Sequence, residues 1–149
     1  MDLGCGTGLL GAKIKTDKNE ITGIDISENM LKIAAEKTVY KELINQDIRD
    51  YLQNAHSDFD CVVAADVFCY FSDLKPIIEN LSPTRLIFSI ESDETTEKFI
   101  IQANGRYKHN PEYIKQTLKS AGYKHISSTS LVLRQENGKD VNGYIFEAN

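Results

Sequence analysis

Four glycines fall within the first eleven residues, at positions 4, 6, 8 and 11 of the run MDLGCGTGLLG. Glycine at this spacing lets a strand turn sharply into a helix, and it brings backbone N–H groups close to a ligand at the positive end of that helix. Downstream, apolar patches of strand length alternate with amphipathic stretches of helix length. That alternation is the signature of parallel strands joined by crossover helices, and it predicts a doubly wound α/β domain spanning residues 1–149.

Strands are expected at Met1 to Leu3, Glu20 to Asp25, Glu42 to Gln46, Phe59 to Ala65 and Arg85 to Ile90. Ser27 caps a helix carrying Met30, Leu31, Ile33 and Ala34, and Ser72 opens another with Leu74, Ile77, Ile78 and Leu81 on one stripe, stopped by Pro83. The best-marked helix has Asn110 as cap, Pro111 at its first position, Ile114, Leu118 and Ala121 at helical spacing, and Gly122 just past its end. Ser127 to Arg134 and Val141 to Phe146 flank a turn at Glu136 to Lys139, an antiparallel hairpin, although Asn142-Gly143 offers a second turn signal and leaves the register open. Only Met1 and two further residues precede the glycine turn, whereas a central strand usually has about five or six. The first strand therefore reads as clipped, together with an upstream helix that could cover a ligand.

Composition narrows the partners. With 41% hydrophobic and 26% charged residues the chain has the profile of one globular domain. Seventeen Lys and Arg against 22 Asp and Glu give a net charge of −5, which argues against a nucleic-acid duplex as partner. The longest apolar run, Cys61 to Ala65, is far short of the roughly 20 residues of a membrane span, so no membrane partner is expected. Cys5, Cys61 and Cys69 are odd in number and share no CxxC spacing, which points to a reducing, cytoplasmic compartment and to no thiolate metal site. No cluster of His, Cys and carboxylates has metal-ligand spacing in the sequence.

The glycine loop alone is ambiguous. Gly6, Gly8 and Gly11 satisfy GxGxxG, the dinucleotide fingerprint, which keeps a nicotinamide-dependent oxidoreductase open. Asp2 tips the balance, because a carboxylate there would repel a pyrophosphate and attract an ammonium and a sulfonium. Asp25 closes the second strand and Asp47 follows the third, so all three acids would border one crevice outside the carboxyl ends of the strands. Asp25 offers two acceptor oxygens for two ribose hydroxyls, and Asp47 could accept from an exocyclic adenine amine. Each acid alone reads equally well as a strand-end or capping residue.

DLGCGTG, GIDIS, the Asp47 position and FDCVVAADV together resemble the cofactor half of class I S-adenosylmethionine (SAM) dependent methyltransferases over residues 1 to about 70. The resemblance implies a Rossmann-like, seven-stranded, mostly parallel sheet with an antiparallel last strand. It further implies SAM as cofactor, with S-adenosylhomocysteine (SAH) as product and a small molecule as acceptor. Asp2 and the loop residues Gly4, Cys5, Gly6 and Gly8 would hold the methionine part, Asp25 the ribose, Ile26 and Met30 the adenine face, and Asp47 with Ile48 the adenine edge, with Ala64 beside the cofactor. AADVFCYFSDL, FSIE, GRYKHNPEYI and LVLRQENGKDVNGYIF are similar to the methyltransferase domain of predicted TPR-repeat methyltransferases, whose repeats are absent here. A SAM-binding module without turnover is a further rival.

Transfer of a methyl from a sulfonium asks the protein for alignment and exclusion of water, so the search is for substrate binders and a base on the loops after the fourth and fifth strands. Asp66, Tyr70 and Phe71 follow the fourth strand and Glu91 the fifth. Asp66 could orient the methionine ammonium or the acceptor, and Tyr70 could wall the methyl pocket, although both fit a solvated acid and plain packing. Ala64 and Ala65 stand where base and glutamine amino-methylases have an Asn-Pro-Pro-Tyr type motif, and that motif is missing. In GRYKHNP, Arg106 could clamp a carboxylate or phosphate and His109 could take a proton near neutral pH. The bland alternative there is a helix start with Tyr107 packed and His109 exposed. His56 and His125 read as structural, Lys13, Lys15 and Lys18 as a solvated face, and Cys5 as a small filler of the glycine turn.

Overall fold

The chain runs through Asp2–Leu3 (β1), Leu9–Ile14 (α1), Thr22–Asp25 (β2), Glu28–Ala35 (α2), Glu42–Asn45 (β3), Ile48–Asn54 (α3), Cys61–Ala64 (β4), Lys75–Leu81 (α4) and Arg85–Glu91 (β5). It continues through Phe99–Ile101 (β6), Tyr107–His109 (β7), Pro111–Ser120 (α5), Ile126–Glu136 (β8) and Lys139–Ala148 (β9). This computed structural model describes residues 1–54, 59–81 and 84–149, so the expectations for His56 and Pro83 lie outside the described residues. Seven strands form one sheet in the order β3-β2-β1-β4-β5-β9-β8, parallel from β3 to β5 and antiparallel where β9 and β8 join. The order reverses direction between β1 and β4, and at such a switch point the loops leaving the strands splay apart and open a crevice. Among the described residues no helix is long and apolar enough to cross a membrane.

Local chemistry sets the helix boundaries. The Ser27 hydroxyl accepts from the Met30 N–H, and the Asn110 side chain accepts from the N–H groups of Glu112 and Tyr113 ahead of Pro111. The helix expected to open at Ser72 begins instead at Lys75, whose N–H donates to the Asp73 carboxylate at 2.9 Å. Under the sheet, Phe88 and Phe146 stack with ring centroids 5.3 Å apart, and Phe68 lies 5.2 Å from Phe88. All three are buried, and each contributes about 1.5–3 kcal/mol through removal of apolar surface from water.

The hairpin closes at Asn137 and Gly138, both at positive φ (52° and 74°), the two-residue turn whose twist matches the flanking strands. Asn142-Gly143 is not a turn. Gly143 continues β9 opposite Glu91 of β5, and its missing side chain leaves a notch in which a Cβ would stand 2.1 Å from the Ile90 carbonyl and 2.4 Å from the Leu133 side chain. Leu133 is the extra residue of a bulge in β8 between Val132 and Arg134.

The GRYKHNP segment is partly a strand and not only a helix start. β7 pairs with β6 in a separate two-stranded sheet, and Phe99 packs edge-on against Tyr107 at 6.0 Å. His109 ends β7 with no exposed surface, which corrects its placement at an exposed helix start. Its Nε2 lies 3.0 Å from the Phe71 carbonyl and 2.9 Å from that of Ser72. Two carbonyl partners require Nε2 to carry the proton, which leaves Nδ1 as an acceptor without a partner among the described residues.

Two outcomes follow from this packing. Gly143→Ala should lower stability by about 1–3 kcal/mol, measured as a lower urea midpoint with an unchanged slope, because β5 backbone and Leu133 both block the new methyl. Burial holds His109 below its ordinary value, against the smaller opposing pull of its two carbonyl partners and of Asp73 and Glu91, so the folded state favours the neutral ring. That contribution is complete above the unfolded value of about 6.5 and is lost as pH falls through it towards the lowered folded value. His109→Gln should therefore flatten the fall in stability between pH 7.5 and pH 5, read as the difference between the two proteins' unfolding curves.

Candidate functional site

A cavity of about 820 Å³ opens at the carboxyl ends of β1, β2 and β4, within the range of small-molecule sites. Asp2, Asp25 and Asp47 all line it. Asp2 forms the floor, only 1% exposed, and receives the Tyr40 hydroxyl at 2.7 Å. Burial pushes the Asp2 carboxyl up from its ordinary value, with the Tyr40 bond pulling the other way. A cation arriving in the cavity would relieve that strain on the charged form.

Tyr40 is the residue that sequence reasoning missed. Its ring fills the space where a Cβ at Gly8, Gly11 or Gly23 would come within 2.9, 2.3 and 2.8 Å respectively. The glycines at these positions thus make room for the aromatic group that supports Asp2. Gly23, a glycine inside a strand, is the one sequence signal of such a close approach. Gly4 serves the loop differently: at φ 65° it turns the chain, and its Cβ would fall 2.3 Å from the Val67 side chain.

Asp25 binds the loop to the next helix. Its Oδ2 accepts the Gly6 N–H and its Oδ1 the Ser27 N–H, both at 2.8 Å. One acceptor position remains on each oxygen. At Gly6 a Cβ would meet nothing within 4 Å, so the backbone faces open space there, as a cradle for a ligand must. Ile26 and Met30, 70% and 44% exposed, supply an apolar wall beyond Asp25. Asp47 is engaged by Arg49 through the backbone N–H at 2.7 Å and the guanidinium at 2.9 and 3.1 Å, and the Arg49 bonds hold its carboxyl below the usual range.

Of the residues expected to touch a cofactor, Asp2, Gly4, Cys5, Gly6, Asp25, Ile26, Met30, Asp47 and Ile48 line the cavity. Gly8 does not. At φ 78° it starts α1 and turns towards Tyr40 and Ala34. Ala64 is buried inside β4, and Ala65 takes the lining position one residue on. Cys5 is buried and its thiol pushed up to about 12 by desolvation, which leaves it a filler. Asp66 and Tyr70 line the outer end, whereas His109 is separated from the cavity by its burial against Phe71 and Ser72.

At that outer end the chain assembles a charge cluster invisible in the sequence. The Arg106 and Arg134 guanidiniums both donate to Asp66 Oδ1, at 2.7 and 3.0 Å, and both reach the buried Glu91 Oε1, at 3.0 and 2.7 Å. Asp66, Cys69 and Glu91 place ligand atoms within 4.8 Å of one another, although nothing in their sequence spacing suggested a metal cluster. Both guanidiniums already occupy that group, Arg106 also donating to Cys69 Sγ at 2.9 Å.

Known proteins converge on one family. A family model described as a methyltransferase domain matches residues 1–85. A protein of Geobacillus sp. (strain WCH70), provisionally named a methyltransferase, is 38% identical over 73 residues, 46% of this chain and 28% of its own length. A demethylmenaquinone methyltransferase of Staphylococcus aureus is 31% identical over 105 residues, 64% of this chain and 44% of its own. The chain therefore spans less than half the length of these curated relatives. Among solved structures, the magnesium protoporphyrin IX methyltransferase of Synechocystis PCC 6803 with bound SAM superposes with a TM-score of 0.72 at 21% identity, over 99% of this chain and 67% of that one. A SAM dependent methyltransferase of Archaeoglobus fulgidus gives 0.75 at 16% identity, over 99% and 84%. These structures share the fold, and with the family model matching more than half of its residues the chain belongs to the methyltransferase domain family.

Proposed function

We propose that this domain binds SAM in the cavity at the β1–β4 switch point and transfers its methyl group to a small-molecule acceptor. The observation that carries this reading is the Asp25 carboxylate, pinned by the Gly6 and Ser27 N–H groups so that one free acceptor position per oxygen remains for a ribose diol. Asp2 and Asp47 flank it along the same wall. When bound, SAM supplies an electrophilic methyl on a sulfonium.

The chain's own residues do the rest. Asp2, buried beneath the glycine loop, gives the methionine end of the cavity a negative floor that favours cationic groups and opposes a pyrophosphate. The exposed Ile26 and Met30 side chains offer an apolar face to a flat ring. Tyr70, 62% exposed, walls the opposite end, where the acceptor would enter. Asp66 is paired with two arginines, so it is not assigned to proton removal. His109 is given no part in the transfer, because its one free nitrogen is buried.

Calorimetric titration tests the reading. SAM and SAH should bind and NAD and NADP should not; the reverse result would overturn it. Asp25→Ala should weaken SAH binding by about 1.5–3 kcal/mol, the worth of hydrogen bonds to a charged group, with the fold intact by circular dichroism.

Tyr40→Phe removes only the hydroxyl that stabilises the charged form of Asp2, so the Asp2 carboxyl should rise further from its already raised position. Affinity for SAM then falls at higher pH than in the parent protein as the buffer is taken from pH 8 to pH 5. Superimposable pH profiles would remove the Asp2 charge from the binding energy.

A further inference from the structure

We propose that Arg106 and Arg134 form a binding site for a carboxylate on the methyl acceptor, and that Asp66 holds this site closed until the acceptor takes its place. The inference rests on the reading of the cavity as a SAM site, because it assigns the cavity's outer end to the acceptor.

Arg106 lies in the turn between β6 and β7 and Arg134 just past the β8 bulge, so two distant segments converge on one point. Behind the pair, Glu91 is 2% exposed, accepts from Arg134 on Oε1, ion-pairs with Arg106 Nε at 3.0 Å on the same oxygen, and is fixed on Oε2 by the Gln102 amide at 2.7 Å. Such a backing holds both forks in place and offsets one of their two charges. Arg134 also meets the partly exposed Glu136 at 3.0 Å. In front stands Asp66, with a side chain 53% exposed, whose Oδ1 takes a bond from each arginine. The site is therefore already shaped around a carboxylate oxygen.

The two carboxylates differ in how firmly they are held. Glu91 is enclosed, whereas Asp66 borders the cavity and sits at φ 54°, a backbone region that L side chains visit at a cost. Turning Asp66 out to solvent while an acceptor carboxylate enters keeps the total charge of the cluster constant and leaves no guanidinium unpaired. Arg106 also lies over the Tyr70 ring, with Cζ 5.1 Å from its centroid, which joins the anion site to the aromatic wall of the cavity. An acceptor with a carboxylate next to an apolar body would use both.

The side-chain Nε–Hε NMR signals of Arg106 and Arg134 report on the site directly. Benzoate, 4-hydroxyphenylacetate and hexanoate, each paired with its amide, are titrated into the full chain with and without saturating SAH, and inorganic phosphate serves as a separate arm. At least one carboxylate should move both arginine signals while its amide does not. Asp66→Asn, which removes the competing charge, should tighten that carboxylate about tenfold, and Arg134→Lys, which keeps the charge but loses the fork, should weaken it by a similar factor. No response to any of the three acids, equal response to an amide, a stronger response to phosphate, or no gain in Asp66→Asn would each overturn the proposal. Binding of SAH without a carboxylate response sinks this inference alone, whereas a carboxylate response without SAH binding sinks the cofactor reading and leaves the anion site standing.

Discussion

A single buried carboxylate sets the terms for the whole glycine-loop side of this domain. Asp2 sits on the central strand, away from water, and a charge in that position is tolerable only with donors aimed at it. The Tyr40 hydroxyl meets that need from outside β1, and the ring that carries it needs a slot through the first crossover unit. Gly8, Gly11 and Gly23 are that slot. A motif usually read as a phosphate cradle here divides its labour, with Gly4 and Gly6 shaping the ligand edge and Gly8 and Gly11 admitting an aromatic prop.

What could be read from the sequence was local. Asn110, Pro111 and Gly122 announce α5 because capping is satisfied by neighbours a few residues away. Asp2, Asp25 and Asp47 could be assigned to one rim because each lies on or just after a parallel strand, and topology then decides their meeting. Tyr40 could not be found this way, since its partner lies 38 residues off and the glycines show a gap without naming its occupant. β6 and β7 escaped because strands of three residues are too short to show an alternating pattern. The same short hairpin buries His109, so a residue typical of proton transfer becomes a packed neutral ring. Arg134 was hidden by the bulge, which gives β8 one residue more than its partner strand and cannot be counted from a hydrophobic pattern.

The charge cluster at the outer rim has a different logic from the aspartate row. Its arginines come from the part of the chain beyond the family match, residues 1–85, whereas Asp66 lies within it, so the cluster joins two separate stretches of sequence. Glu91 joins them as the last residue of β5, the strand against which both the parallel half of the sheet and the C-terminal hairpin are laid. Removing either arginine would leave an enclosed charge short of a partner, which is costly in a low-dielectric interior.

The bonds from Gly6 and Ser27 to one Asp25 side chain tie two segments 19 residues apart into a single rigid unit. The conformational entropy of ordering that rim is lost when the chain folds and not when a ligand arrives. Association of a ligand at this rim would then be governed by diffusion and orientation and not by ordering of the loop.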